Sequence, residues 1–215
     1  MLEILYEDDH LIFVNKPPLM VVQRGHNPDE IVLLDLLNAY TSPIYLLQRL
    51  DRGTSGVIFF SKRSDLNVRL TRQFETKRVS KKYLALCTGR VSARQTIDAP
   101  IARTGAITFG VREHGKRALT HIEPLQQAAA ASLLSVTLET GRTHQIRVHL
   151  SSIGYPLVGD WLYGERTSAR PMLHAAELAL THPATNSPLV VRAPLPADFV
   201  EEAARHDIEV LSAEY

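Results

Sequence analysis

The sequence predicts an α+β fold in a single domain that spans residues 1–215. Strand-like runs and segments with helical periodicity both occur. They do not alternate regularly along the chain, as a doubly wound α/β protein would require. The composition, 45% hydrophobic and 22% charged, is typical of a globular domain with an ample core. The sequence contains no internal repeat, low-complexity tract or linker-like segment.

The first predicted elements are two strands and a helix. Residues 3–14 indicate two short strands around an acidic turn, and the double proline at 17–18 ends the second one. Residues 29–40 predict a helix, because apolar residues recur at helical spacing from Ile31 to Leu37.

A second helix and two further strands are predicted in the middle of the chain. Residues 64–75 indicate a helix with Ser64 as its N-cap. Residues 83–87 and 133–138 are rich in apolar residues and predict strands.

The last third of the sequence predicts a third helix and several strands. Thr143 is suited to cap a helix over residues 144–153, and Gly154 is suited to end it. Residues 172–192 then alternate strand-like runs with turns marked by proline.

An aspartate, Asp51, lies between two arginines immediately before the apolar run 57–60. That run predicts a buried strand, which would hold an acid at its mouth in one orientation. The flanking guanidinium groups of Arg49 and Arg52 favour its ionised form. These are the properties of a carboxylate nucleophile, although a lone Asp-x-Gly is more often an ordinary turn.

Arg147 is the cation that we expect to pair with Asp51, because a guanidinium can hold a carboxylate by two parallel hydrogen bonds. The alternative is a surface arginine on a helix. Tyr83 opens a predicted strand after two lysines. Packing in the core is the simpler interpretation of Tyr83, and a flat surface beneath a nucleobase is the functional one.

Basic residues are concentrated between Lys62 and Lys82, although the net charge is only +1. Such a cluster fits a polyanionic partner, and a solvated helix face explains it equally well. The histidines lack metal-site spacing, and neither a Gly-x-Ser-x-Gly motif nor a phosphate-binding loop is present. We therefore expect no metal and no cofactor.

The acidic N-terminus does not have the pattern of a signal peptide, and no apolar run is long enough to span a bilayer. The single cysteine, Cys87, cannot form an internal disulfide. We expect a soluble, cytoplasmic protein without a membrane partner.

Several segments together resemble the RluA-type pseudouridine synthases, in the family's order and over nearly the whole chain. The matching segments are Asn15-Lys16-Pro17, Arg49-Leu50-Asp51 with Thr54-Ser55-Gly56, residues 82–86, residues 141–150, residues 154–160, residues 173–175 and His182-Pro183. The resemblance implies a mixed, largely antiparallel central sheet flanked by helices and loops.

The resemblance also implies the isomerisation of uridine to pseudouridine in tRNA, ribosomal RNA or both. Asp51 would be the nucleophile and would attack either the ribose C1′ or the uracil C6. Tyr83 would stack on the uracil, Arg147 would pair with Asp51, and Arg49 would help to hold the target nucleotide flipped out of the RNA. The other expected RNA contacts are Lys16, Arg52, Arg69, Arg72, Lys81, Lys82, Arg142 and His144.

The sequence departs from the family pattern at two places. Gln48 stands where a histidine usually precedes Arg-Leu-Asp, and Pro18-Leu19 replaces a common glycine. The chain starts directly at the catalytic domain, so we expect no N-terminal accessory RNA-binding domain, and we expect a monomer. Two alternatives are an inactive RNA-binding module or RNA chaperone with the same fold, supported by Gln48, and a metal-dependent hydrolase that uses the histidines.

Overall fold

A computed structural model describes residues 2–25 and 27–210. The strands are β1 (Glu3–Glu7), β2 (Leu11–Lys16), β3 (Tyr45–Leu46), β4 (Ser55–Ser61), β5 (Ser80–Thr88), β6 (Gln95–Asp98), β7 (Ile101–Arg103), β8 (Phe109–Val111), β9 (Leu119–Gln127), β10 (Ala131–Leu138), β11 (Leu173–Thr181) and β12 (Pro188–Arg192). The helices are α1 (Leu33–Tyr40), α2 (Asn67–Glu75), α3 (Gln145–Ser152) and α4 (Ala197–Arg205).

The described residues divide into two compact units. The first unit contains the chain up to Lys81 together with Ala175–Pro194. The second unit contains Lys82–His174 and the residues from Leu195 onward. The expectation of a single domain over residues 1–215 stays a prediction.

In the first unit, strands β1, β2, β4 and β11 are neighbours in that order, with β12 beside β11 and β3 beside β4. β2 and β4 pair antiparallel, with Asn15 opposite Val57. Every residue of β4 is buried, which confirms the buried strand predicted at 57–60. Phe59 of β4 stacks on Phe13 of β2 and on Phe74 of α2, so the helix packs on this sheet.

Gly56 lets β4 approach β11 closely. Its φ of +109° is a backbone conformation that residues other than glycine rarely adopt. A Cβ atom added here would lie 2.2 Å from the carbonyl oxygen of Ala175, well inside van der Waals contact. A glycine is therefore required at position 56 of the Thr-Ser-Gly segment, where the chain enters β4 after the Asp51 turn.

In the second unit, strands β5, β10, β9 and β6 are neighbours in that order, and β7 and β8 form a separate hairpin. The pairs β5–β10, β9–β10 and β6–β9 are all antiparallel. Val148 of α3 packs with Ile101 and Ala118, which joins the helix to the hairpin and to the start of β9. The predicted α+β class with largely antiparallel pairing is confirmed.

Helix α1 begins later than predicted, at Leu33 instead of residue 29. The N–H groups of Leu33 and Leu34 donate to the carbonyl oxygens of Val21 and Val22. Val32 is extended, and Ile31 is 69% exposed instead of lying on the buried stripe. Tertiary hydrogen bonds therefore set the start of this helix, whereas its hydrophobic spacing does not.

The second predicted helix begins as a 3-10 turn at Ser64–Leu66 and becomes α2 only at Asn67. Ser64 is the first residue of this turn and Arg63 precedes it as the N-cap, so the predicted role of Ser64 as N-cap was wrong. Within the described part of the chain, no helix is both long and apolar enough to cross a membrane.

Asp8 joins the β1–β2 turn to the chain that follows β11. Its carboxylate accepts hydrogen bonds from the Tyr6 hydroxyl at 2.7 Å and from the N–H groups of His10 and Leu11, both at 2.8 Å. His182 Nδ1 accepts backbone N–H groups, so its Nε2–H donates to Asp8 at 2.8 Å. Burial alone would raise the pKa of Asp8, but these hydrogen bonds lower it to about 2.

This anchor predicts a dependence of stability on pH. Because the folded-state pKa of Asp8 is lowered from 3.8 to about 2, its stabilisation is complete above pH 4 and is lost as the pH falls towards 2. We expect the wild type to exceed Asp8→Asn in free energy of unfolding by an amount that shrinks by about 1 kcal/mol over that interval. Urea unfolding of both proteins from pH 6 to pH 2 measures it, and a constant difference would contradict the assignment.

Candidate active site

Asp51 lies in a turn between β3 and β4, in the first unit. The N–H of Thr54 donates to the carbonyl oxygen of Asp51 at 3.1 Å and closes that turn. Asp51 is half-buried, whereas Arg49 and Arg52 on either side of it are exposed. The turn leads directly into β4 at Ser55, so the acid is presented at the mouth of a fully buried strand, as the sequence predicts.

Lys16 stabilises this turn by a hydrogen bond to its backbone. It is the last residue of β2 and is fully buried. Its ammonium donates to the carbonyl oxygens of Pro17 and Met20, both at 2.9 Å, and of Arg52 at 3.3 Å. The side chain is enclosed in the free protein, and its expected contact with RNA stays a prediction.

Arg52 is also tied to the loop that follows β2. Its Nε donates to the carbonyl oxygen of Leu19 at 3.2 Å, and its Nη1 lies 3.3 Å from a carboxylate oxygen of Glu30. Leu19 has a φ of 64°, a conformation that favours glycine. Where Pro18-Leu19 replaces the glycine common in the family, the chain still adopts a left-handed backbone conformation, now at Leu19.

The predicted lysines and Tyr83 lie on β5. Lys81 belongs to the first unit, and its ammonium lies 5.7 Å from the centre of the Phe74 ring. Burial lowers the pKa of Lys81. Lys82 and Tyr83 belong to the second unit, where Tyr83 is 7% exposed and lies opposite Val136 of β10.

Arg147 forms a buried ion pair with Asp160 in the second unit. Arg147 Nε donates to Asp160 Oδ2 at 2.8 Å, and Nη2 donates to Oδ1 at 2.7 Å. The two side chains are 3% and 0% exposed. The guanidinium also lies over the rings of Tyr163 at 5.0 Å and Trp161 at 5.8 Å.

Asp160 was not predicted as a partner of Arg147. Asp160 ends the matching segment 154–160, and this position in the motif was the only signal that could have found it. Its Oδ1 also accepts the N–H groups of Leu162 at 3.0 Å and Tyr163 at 3.2 Å, which orders the following turn. Because Asp51 belongs to the first unit and Arg147 to the second, their pairing stays a prediction.

Gln145 organises the start of α3. Its Oε1 accepts from the Thr140 hydroxyl at 2.8 Å and from the Arg142 N–H at 3.0 Å. Its Nε2 donates to the Leu119 carbonyl oxygen at 3.0 Å and to the Thr120 hydroxyl at 2.9 Å. This buried amide fixes the loop before α3, and it is a positioning residue that spacing alone did not reveal.

The predicted RNA contacts Arg142 and His144 lie on that loop. Arg142 is exposed, and its Nε donates to the Arg117 carbonyl oxygen at 2.9 Å. His144 has a φ of 56° and immediately precedes α3, so it is the N-cap and Thr143 is not. The Tyr163 hydroxyl accepts from the Phe109 N–H at 2.9 Å and also shares a hydrogen bond of 2.7 Å with His144 Nδ1.

Arg69 and Arg72 lie on the exposed side of α2, opposite the buried Leu70. Arg69 Nη1 donates to the Pro183 carbonyl oxygen at 3.0 Å, which holds this guanidinium against the chain after β11. Gln73 pairs with both backbone groups of Thr181 and docks the same helix there. The predicted basic face of this helix is therefore present and firmly attached.

Among the described residues, Asp8, His10 and His182 are the group whose ligand atoms could converge on a metal, within 4.8 Å of one another. The Asp8 oxygens and both ring nitrogens of His182 already take part in the hydrogen bonds described above. Binding a metal would require these bonds to break, so the group fits a structural anchor better. The expected absence of a metal stays a prediction.

The buried ion pair gives a stability prediction. We expect Asp160→Asn to lower the free energy of unfolding by about 3–5 kcal/mol, because it leaves the Arg147 guanidinium buried without its counter-charge. The matched control is Asp65→Asn, which removes an exposed partner of Arg63 and should change little. Urea unfolding measures both variants, and similar losses in the two would show that burial of the pair is not the cause.

The sequence matches a known protein family and several known proteins. Residues 10–152 match the family described as RNA pseudouridylate synthase. The ribosomal large subunit pseudouridine synthase D of Nitrosomonas europaea is 40% identical over 92% of this chain, which spans 63% of that protein. The protein of the same name from Escherichia coli K12 is 37% identical over 97% of this chain and 72% of its own length.

Solved structures show the same relationship. Human RNA pseudouridylate synthase domain containing 4 superposes with a TM-score of 0.80 and 25% identity, over 97% of this chain and 94% of that one. Human RNA pseudouridylate synthase domain containing 1 gives a TM-score of 0.75 and 26% identity, over 98% and 97%. The α+β fold and the resemblance found in the sequence are thereby confirmed, and the chain belongs to the RNA pseudouridylate synthase family.

Proposed function

We propose that this protein isomerises uridine to pseudouridine in large-subunit ribosomal RNA, with Asp51 as the nucleophile. The observation that carries the proposal is the position of Asp51. It is half-buried in a hydrogen-bonded turn that leads directly into the buried strand β4. The choice of RNA is supported by relatives that are named for the large ribosomal subunit and are 36–40% identical.

The chemistry asks little of the protein beyond one oriented carboxylate. In the first route, Asp51 attacks the ribose C1′ as the glycosidic bond to N1 breaks. The freed uracil turns, its C5 bonds to C1′ and displaces the carboxylate, and the C5 proton leaves. In the second route, Asp51 adds to the uracil C6 instead, the glycosidic bond breaks, C5 bonds to C1′, and the carboxylate is eliminated as the C5 proton leaves. Either way the C5 proton is released to solvent and N1 gains a proton from it, so the composition of the nucleotide is unchanged and no co-reactant is needed.

The other predicted residues have matching roles. Tyr83 stacks on the uracil and assists removal of the C5 proton, and Arg147 pairs with Asp51 and keeps it ionised. Arg49 is exposed beside the nucleophile, which suits a residue that holds a flipped nucleotide. Lys16 acts through the backbone, because it fixes the carbonyl oxygen of Arg52 next to Asp51.

The basic side chains contact phosphates and set the orientation of the RNA. They are Arg52, Arg69, Arg72, Lys81, Lys82, Arg142 and His144. Within the described residues, Arg69 and Arg72 enter no ion pair, which leaves their charge available to an anion. The protein acts as a monomer in the cytoplasm.

Tritium release from RNA labelled at uridine C5 tests the proposal. We expect Asp51→Asn to reduce release from a large-subunit ribosomal RNA transcript by about a thousandfold or more, since a nucleophile has no substitute. Asp65→Asn, at an exposed aspartate of the same unit, should retain wild-type release.

The outcomes separate the alternatives. Release that survives Asp51→Asn would refute the nucleophile. A wild type that binds RNA without releasing tritium would identify the inactive RNA-binding module instead. Release from a tRNA transcript but not from ribosomal RNA would overturn the proposed target and leave the reaction intact.

A further inference from the structure

Gln48 has a buried amide nitrogen with no hydrogen-bond partner. Across residues 2–25 and 27–210, the only other buried side-chain polar atom without a partner is Asn67 Oδ1. Gln48 follows β3 and immediately precedes Arg49, Leu50 and Asp51. The unsatisfied donor is therefore in the segment that presents the proposed nucleophile.

An unpaired buried donor costs the folded protein free energy, because its hydrogen bond to water is lost and nothing replaces it. An apolar side chain of similar length at this position would avoid that cost. Buried polar groups without partners are rare in folded proteins, and violations of this rule are expected mainly at functional sites. The cost at Gln48 is explained if a ligand supplies the missing acceptor.

The surroundings of Gln48 indicate what the ligand is. Gln48 is itself only partly buried, in a segment without regular secondary structure, so its side chain can turn towards a bound molecule. Its neighbour Arg49 is exposed and cationic, as is Arg52 after the turn. Cations beside an unpaired N–H donor suit a polyanion rich in oxygen acceptors, and RNA offers these on phosphates, riboses and bases.

We propose that Gln48 is an RNA-binding residue, whose Nε2 donates to an acceptor oxygen of the RNA next to the target uridine. The inference rests on the proposed function and adds a contact to it. Glutamine keeps two N–H donors at a position where the family usually has histidine, and it cannot serve as an acid or a base. Its contribution is therefore to binding of the RNA and not to proton transfer.

The test compares two variants that each remove one unpaired atom. Gln48→Met and Asn67→Leu should both keep or raise the free energy of unfolding in urea, since each deletes an unsatisfied polar group. Only Gln48→Met should weaken binding of the ribosomal RNA transcript. We expect its Kd to rise about tenfold, which corresponds to ~1.4 kcal/mol. The single-turnover rate of tritium release at saturating enzyme should stay within about threefold of the wild type.

Gln48→His is the conservative variant. Because a histidine still provides a ring N–H donor, it should recover part of the affinity lost in Gln48→Met. If Gln48→Met binds RNA as tightly as the wild type, the inference is overturned. It is also overturned if Gln48→Met is less stable than the wild type, since the amide would then be a structural group.

The sequence of the RNA distinguishes the two sources of the acceptor. If a base carbonyl accepts the bond, the penalty of Gln48→Met should disappear when one neighbouring base is exchanged. If a phosphate or ribose oxygen accepts it, the penalty should be the same for every sequence. Failure of the proposed function would appear separately, as a wild type that releases no tritium, because the Kd comparison does not depend on turnover.

Discussion

The buried ion pair between Arg147 and Asp160 ties helix α3 to the turn that contains Tyr163. A guanidinium and a carboxylate that are almost fully enclosed are stable only when each satisfies the other and nearby polar groups. Asp160 meets this condition by also accepting two backbone N–H groups of the turn that contains Tyr163. The Asp160 carboxylate thus orients both α3 and the loop after it. Arg147, the proposed partner of Asp51, is held in place by the same carboxylate.

The first unit solves a similar problem with a lysine. The buried Lys16 ammonium donates hydrogen bonds to carbonyl oxygens of the loop after β2 and of the Asp51 turn. It therefore links these two irregular segments. Gly56 then allows the chain beyond the turn to enter β4 against β11. In both units, a buried polar group fixes the backbone around a side chain that we propose takes part in the reaction. This arrangement suits a reaction that depends on accurate placement of its groups.

The local patterns of the sequence were sufficient for much of the fold. The apolar run at 57–60 became the buried strand β4, and the two N-terminal strands and β5 overlap the segments predicted as strands. The start of α1 was not predictable in this way, because its first N–H groups donate to carbonyl oxygens of Val21 and Val22, in an earlier segment of the chain. The roles of Asp160, Gln145 and Lys16 also depend on contacts between separate segments. Only the resemblance to a family pointed to those segments at all.

The enclosure of Lys16 has a consequence for chemical labelling. Reagents that acylate amines need an accessible, deprotonated nitrogen, and the Lys16 ammonium is fully buried among carbonyl oxygens. Exposed lysines such as Lys77 will be modified first. Modification of Lys16 therefore requires the Asp51 turn to separate from the loop after β2. The rate of modification reports how often the two segments around the proposed nucleophile separate.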